Sequence, residues 1–279
     1  APLPVLAVHA DYALVARQPP REQTTLPARD SDDHDLVHVD ALRFADRRVW
    51  YKKARMDTNL KFEAIRIPAM PDVTVSGVVA TPKWWPSGQR IGFVIGHDLA
   101  GGMDEPNLVA LQNVLAEAGH LVLRFNFPFA EQKKKRPDSP LVLDRTFKTA
   151  VATVLADPEN APVRMLVGGI GLGARVATRA TAQGLKVDAA FSIGFPLHPS
   201  GKPGLQDVDY MYRMICPVLF VQGARDPHCR IDRLEELLRR LGAPTRLHVV
   251  ADCGSGLEPI KRGGRSVEAI REEVFGQLE

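Results

Sequence analysis

Residues 167–177 read VGGIGLGARVA. They follow the apolar run VRML, Val163 to Leu166, and precede an alanine-rich helical pattern, so they form a tight strand-to-helix turn made almost wholly of glycine. Two chemistries use such a turn. In G-x-S-x-G a strained turn lifts a serine hydroxyl above a sheet. In G-x-G-x-x-G/A the glycines let a pyrophosphate approach a helix N-terminus. Here the letters are Gly169, Ile170, Gly171, Leu172, Gly173 and Ala174. The first pattern keeps its glycines without a serine, and the second is matched by Gly169, Gly171 and Ala174.

Context decides between them. A dinucleotide turn opens the first strand–helix unit and is followed by an acid at the end of the next strand. This turn falls on the third strand of the parallel series, and the next acid, Asp188, precedes its strand. The glycines are therefore better read as an elbow that kept its backbone shape without its side chain, and no cofactor is expected.

Working outward, residues 59–279 alternate strands and helices. NLKFEAIRIPAM and VTVSGVVATP alternate apolar and polar residues like two half-exposed antiparallel strands, and the WWPSG after them is a turn with an aromatic plug. RIGFVIGHD, HLVLRFNFPF, VRMLVGG, VDAAFSIGFPL, CPVLFVQGARD and TRLHVVAD read as strands. Between and after them lie helical patterns: NLVALQNVLAEAG, stopped by Gly119; DRTFKTAVATVLADP, with Asp144 placed as its cap; ARVATRATAQG; IDRLEELLRRLG; and RSVEAIREEVFGQL. Strands joined by crossover helices predict an α/β fold, a mostly parallel sheet with helices on both faces.

Residues 1–58 do not read as a domain. They carry Pro2, Pro4, Pro19, Pro20 and Pro27, the acidic patch DSDDHD (residues 30–35) and the segment ALRFADRRVWYKKAR. Such a segment cannot close a core alone. The expectation is an extended N-terminal arm, pinned to its own globular body or to other protein subunits.

Composition bounds the function. The 279 residues are 45% hydrophobic and 25% charged, with no apolar run near the ~18 residues a transmembrane helix needs. A net charge of +3 is too small to imply nucleic acid, and the basic run Lys133–Arg136 sits among prolines without interleaved aromatics. Cys216, Cys229 and Cys253 are widely spaced, which argues against a disulfide framework or a metal site and for a reducing, intracellular setting. The chain starts at Ala1 rather than methionine, as removal of a targeting peptide would leave it, and with the many arginines and free cysteines this favours the mitochondrion.

The order of elements, with GHDLAGGMDEP from Gly96, LRFNFPF from Leu123, KRPD from Lys135, GGIGLGAR from Gly168, GFPLHPSGKP from Gly194, LFVQGARD from Leu219 and KRGGR from Lys261, resembles the α/β-hydrolase superfamily. Within it the chain is similar to the small predicted hydrolases related to testis-expressed and NSL-complex-subunit hydrolase-like proteins. The resemblance implies a triad in the order Ser, Asp, His. Laid onto this sequence, the serine position falls on Gly171, the acid on Asp226, and the histidine near Ser255 in ADCGSGLEPIK, where there is no histidine. It also makes His97, Gly101 and Gly102 the loop that helps to form an oxyanion hole, although without a nucleophile His97 reads as a structural hydrogen-bonding residue.

Glycine offers no atom to attack with, and the last histidine, His248, lies inside a strand. The preferred expectation is a pseudoenzyme: an α/β-hydrolase domain with vestigial triad positions Gly171, Asp226 and Ser255, used as a structural subunit of a protein complex through protein–protein interaction by its arm. Two alternatives stay open. The old cleft could bind a small acyl or hydrophobic ligand, with His97 and Asp226 as its polar groups. Or Cys253, Ser255, His228 and Cys229 could supply a rewired Cys/His site. Asp226 could equally be kept as a cap or as a partner of Arg225 or Arg230.

Overall fold

The computed structural model describes residues 60–278, apart from residues 205–206 and 261–262. The arm expected over residues 1–58, and its docking on other subunits, lie outside the described residues.

Two long strands open the described chain, β1 (Leu60–Met70) and β2 (Val73–Pro82), paired antiparallel from Leu60↔Pro82 to Met70↔Val73. The turn that follows buries Trp85, whose indole N–H donates to the Asn160 carbonyl at 3.2 Å, so the aromatic plug is real. Then come β3 (Ile91–Gly96), α1 (Pro106–Glu117), β4 (Leu121–Phe125), the short α2 (Pro128–Glu131), α3 (Pro140–Leu155), β5 (Arg164–Gly169), α4 (Leu172–Ala182), β6 (Ala189–Ile193), β7 (Val218–Gly223), α5 (Ile231–Leu238), β8 (Thr245–Val250) and α6 (Val267–Phe275). The sheet has eight strands in the order β1-β2-β4-β3-β5-β6-β7-β8. Strand β2 meets β4 antiparallel and every later pairing is parallel. This is the fold the resemblance implies.

The central strands read as continuous apolar runs because both their faces are covered. On one face Phe125, Phe127, Phe147, Val176, Phe220 and Leu234 pack together; on the other, Phe93, Ile95, Leu108, Leu111, Ile270 and Val274 do. Each fully buried aromatic or aliphatic side chain stabilises the fold by roughly 1.5–3 kcal/mol before entropy is counted.

One reading of a helix end is corrected. Asp144 does not cap α3, which begins at Pro140 after Ser139. It lies a turn inside, 4% exposed, with both carboxylate oxygens 2.8 Å from Arg179 Nε on α4 and Oδ2 also accepting from Gln183 Nε2. A preceding proline at the first helical position already fixes the start, so the acid is free to clamp two helices.

Candidate functional site

The chain turns from β5 into α4 over two residues. Ile170 makes a parallel bridge to Ile193, and Gly171 takes φ 55° and ψ −115°, a conformation that side-chain-bearing residues rarely adopt. The other glycines serve a backbone contact. A Cβ on Gly173 would lie 2.1 Å from the Gly96 carbonyl oxygen, and one on Gly169 would lie 2.3 Å from the same atom. Strand β3, strand β5 and helix α4 therefore meet backbone to backbone, which explains the glycine spacing without a phosphate.

Space above Gly171 is taken. A Cβ there would sit 2.2 Å from Asp98 Cγ and 2.2 Å from Asp98 Oδ1. That carboxylate accepts the Leu172 N–H at 2.9 Å, so the amide following the elbow residue is held by an anion from the loop after β3. The Gly173 N–H is likewise used, by the Ile170 carbonyl at 3.0 Å. A pyrophosphate approaching this helix end would meet a carboxylate. A side chain at 171 and the Asp98 carboxylate in its present position thus exclude each other.

Asp98 is aimed by its neighbour. His97 is fully buried; its Nε2 accepts the Phe127 N–H at 3.0 Å, which puts the proton on Nδ1, from where it donates to the Asp98 carbonyl. Its ring meets Phe127 edge-on at 5.0 Å. Burial pushes its pKa below the usual 6.5, so the neutral tautomer is the stable form. Both ring nitrogens of His97 are thereby engaged by backbone groups.

Asp226 follows β7. Its side chain is 1% exposed; Oδ2 accepts from Gln222 Nε2 at 2.8 Å and Oδ1 from the His228 backbone N–H at 2.8 Å. Among the described residues no ion pair joins Asp226 to Arg225 or Arg230; Arg230 pairs with Asp232 instead. Ser255 begins a short turn, Ser255–Leu257, inside a loop closed by the Cys253↔Pro259 bridge and tied to α1 by Asn107 Nδ2 on the Gly256 carbonyl at 2.8 Å. The three expected positions converge at the end of β6. Gly171 donates to the Ile193 carbonyl at 2.9 Å, and a Cβ on the next residue, Gly194, would lie 3.8 Å from Gly256 N and 4.0 Å from Asp226 Oδ2.

The cysteines considered for a rewired site are poor nucleophiles. Burial, helped by the nearby Asp226 charge, pushes the Cys229 thiol up to about 12 and the Cys253 thiol up to about 11. A reactive cysteine needs the opposite shift. The His228 ring approaches Asp226 Oδ1 at 3.5 Å but is 45% exposed, and His248 pairs with Glu273 Oε1 at 2.8 Å on β8 and α6.

The family model described as an alpha/beta hydrolase domain matches residues 89–278. The chain belongs to the α/β-hydrolase domain family. Solved structures similar to this α/β-hydrolase domain include a dienelactone hydrolase from Anabaena variabilis, 17% identical with a TM-score of 0.61 over 78% of this chain and 96% of that one. An esterase from Pyrococcus furiosus is 15% identical with a TM-score of 0.62, over 78% and 88% of the two chains. An alpha-beta serine hydrolase homologue from Coxiella burnetii is 19% identical with a TM-score of 0.60, over 78% and 97%. At these identities the likeness is one of fold.

Within the α/β-hydrolase domain, sequence reasoning missed Asp98. The signal was there, since GHDLAGG places an acid directly after the β3 strand, opposite an elbow that lacks a side chain. Of two surface depressions, one of about 330 Å³ is lined by Leu99, Gly101, Gly102, Asn126 and Lys133 among others, and so includes the loop that the resemblance gives to an oxyanion hole; one of about 300 Å³ is lined by Pro203, Gly204, Arg230 and Arg233. Neither is lined by Gly171, Asp226 or Ser255.

Proposed function

We propose that this α/β-hydrolase domain performs no acyl transfer and serves as a structural, protein-binding subunit of a larger assembly. The observation that carries the reading is the elbow itself: Gly171 supplies no nucleophile, and the space for one holds the Asp98 carboxylate. The loop where the resemblance would put the base carries no histidine: none follows His248 in the chain, and that ring is engaged by Glu273. Without nucleophile and base, at most a residual ~10³–10⁴ over water remains from binding and an oxyanion hole. Here even the Leu172 amide is spent on Asp98. The raised thiols of Cys229 and Cys253 count against rewired chemistry, and the filled elbow counts against a ligand seated in the old cleft. The solved neighbours carry the names of hydrolases, but their likeness to this chain speaks only for the fold.

What supports assembly membership is the sequence of residues 1–58, whose prolines and acidic patch suit docking over a partner better than closing a core. Two measurements test the proposal. Purified full-length chain is assayed against p-nitrophenyl acetate and butyrate, and the expected rate is that of buffer; saturable turnover that survives further purification overturns the inactive reading. The native mass is measured in a gently solubilised extract of the source, and a particle much larger than the 30.7 kDa chain is expected. A chain that runs alone overturns the assembly reading.

A further inference from the structure

We propose that the outer edge of β1 takes an additional strand supplied by the chain itself, with residues 49–55 (VWYKKAR) returning antiparallel along residues 60–66. The inference goes beyond the functional reading above and does not depend on it. Strand β1 ends the sheet: β2 pairs with one of its edges, and among the described residues no strand pairs with the other. Which backbone groups that edge presents follows from β2. Ser76 turns its carbonyl to the Asn126 N–H at 2.9 Å and its own N–H to Glu131 Oε2 at 3.0 Å, both on the β4 side. Its neighbours Val75 and Gly77 therefore face β1, where they meet Ile67 and Ile65. The alternation then turns the N–H and C=O groups of Leu60, Phe62, Ala64 and Arg66 outward. A proline stands at the next outward position, Pro68, and a register shift follows it, so the edge is closed at that end and open over residues 60–66.

Residues 49–55 suit this edge by position, pattern and charge. They lie just before β1, and residues 56–59 (MDTN) between the two include Asp57, Thr58 and Asn59, turn formers in a connection of ordinary hairpin length. Pairing Arg55 with Leu60 across that loop sets Lys53 opposite Phe62, Lys52 opposite Glu63, Tyr51 opposite Ala64, Trp50 opposite Ile65 and Val49 opposite Arg66. Val49, Trp50 and Tyr51 are all residue types that strands favour. Tyr51 then stands diagonal to Phe62, which is 53% exposed, and Trp50 beside the half-buried Ile65. Lys52 meets the exposed Glu63 carboxylate, which already draws Lys61 to 3.1 Å. A strand tethered by so short a loop also closes at far less entropic cost than one brought by a second molecule. The length left to dock on other subunits is then residues 1–48.

The test is hydrogen exchange of the purified full-length chain, read amide by amide by NMR. In wild type the outward amides of Phe62, Ala64 and Arg66 are expected to exchange at least about tenfold more slowly than those of an open strand edge, and equally so on dilution. Tyr51→Pro removes the donor that would face the Ala64 carbonyl; it is expected to speed those three amides at least about tenfold, while Glu63 and Ile65, turned toward β2, keep their rates. Fast exchange of the three amides in wild type overturns the proposal, and so does a Tyr51→Pro protein in which they stay protected. Protection that is lost on dilution assigns the edge to a second copy of the chain and overturns it too. Should Tyr51→Pro not fold, Lys52→Glu takes its place: like charges opposite Glu63 should speed the same amides about twofold or more, and adding Glu63→Lys should restore them, whereas unchanged rates overturn the pairing. Ester turnover by wild type would sink the functional reading above while leaving the added strand standing.

Discussion

Replacing Gly171 with alanine tests the pairing of elbow and carboxylate. Two costs are expected, and they are separable. The backbone at φ 55°, ψ −115° is unfavourable for alanine by about 1–3 kcal/mol, the range for residues held in sparsely populated regions. The new Cβ, 2.2 Å from Asp98 Cγ, also drives the carboxylate off the Leu172 N–H. A charge-assisted hydrogen bond contributes about 1.5–3 kcal/mol, and because Asp98 is half-buried and water can replace it, about 1–2 kcal/mol is the expected loss. Gly171→Ala should therefore cost roughly 2–5 kcal/mol in wild type and only the backbone part, roughly 1–3 kcal/mol, in an Asp98→Ala background. Urea denaturation of wild type, both single variants and the double variant gives the coupling directly. Contacting residues that share a hydrogen bond couple by about 0.5–3 kcal/mol, whereas independent sites add within about 0.5 kcal/mol. Additivity in this cycle, or a Gly171→Ala variant as stable as wild type, would refute the claim that the carboxylate fills the side-chain space of the elbow.

Other outcomes follow from the same structure. Alkylation of the native chain near neutral pH should label the half-buried Cys216 first and leave Cys229 and Cys253 untouched until the chain unfolds, since a thiol at about 11 is thiolate to only ~10⁻³ at about pH 8; rapid native labelling of Cys253, read by peptide mass, contradicts this. Burial pushes His120 down to about 4 and its Nδ1 has no partner, so the unfolded chain, titrating near 6.5, takes up a proton that the folded chain refuses. Stability is then complete above pH ~6.5 and falls by about 2 kcal/mol on going from about pH 7 to about pH 5, and His120→Gln should flatten that slope; a slope unchanged in the variant assigns the loss elsewhere. Asp144→Ala strands the Arg179 guanidinium, 11% exposed, between α3 and α4, and should cost about 3–5 kcal/mol by urea unfolding, while a loss under about 1 kcal/mol would mean that solvent satisfies the arginine.

The fold was legible because its signal is local and periodic. The apolar runs of β3 to β7 and the three-and-four spacing of Leu108, Leu111 and Leu115 are set by what each segment must bury, and no distant residue is needed to read them. The turn at Gly171 was legible for the same reason, as a run of glycines between a strand and a helix.

What escaped the sequence is relational. Asp144 looked like a cap because a cap is defined by chain neighbours, yet its partner Arg179 is on the next helix, beyond strand β5. Asp226 looked like a match for Arg225 or Arg230, but the turn after β7 aims its oxygens at Gln222 and the His228 amide instead. Asp98 lies 73 positions before Gly171 in the sequence, and only the parallel register of β3 beside β5, Gly96↔Gly169, brings the two loops together at the same end of the sheet. That register puts the carboxylate of one loop in the space that a side chain on the other would need, so a change at either position is felt at the other. The Leu172 amide, like any first amide of a helix, has no intrahelical acceptor, and the acid two residues past the paired strand supplies one. With Gly171 at the turn and Asp98 on the Leu172 amide, the chain closes its own helix end with one residue and keeps the glycine-to-glycine packing of Gly96, Gly169 and Gly173 that joins the sheet to α4.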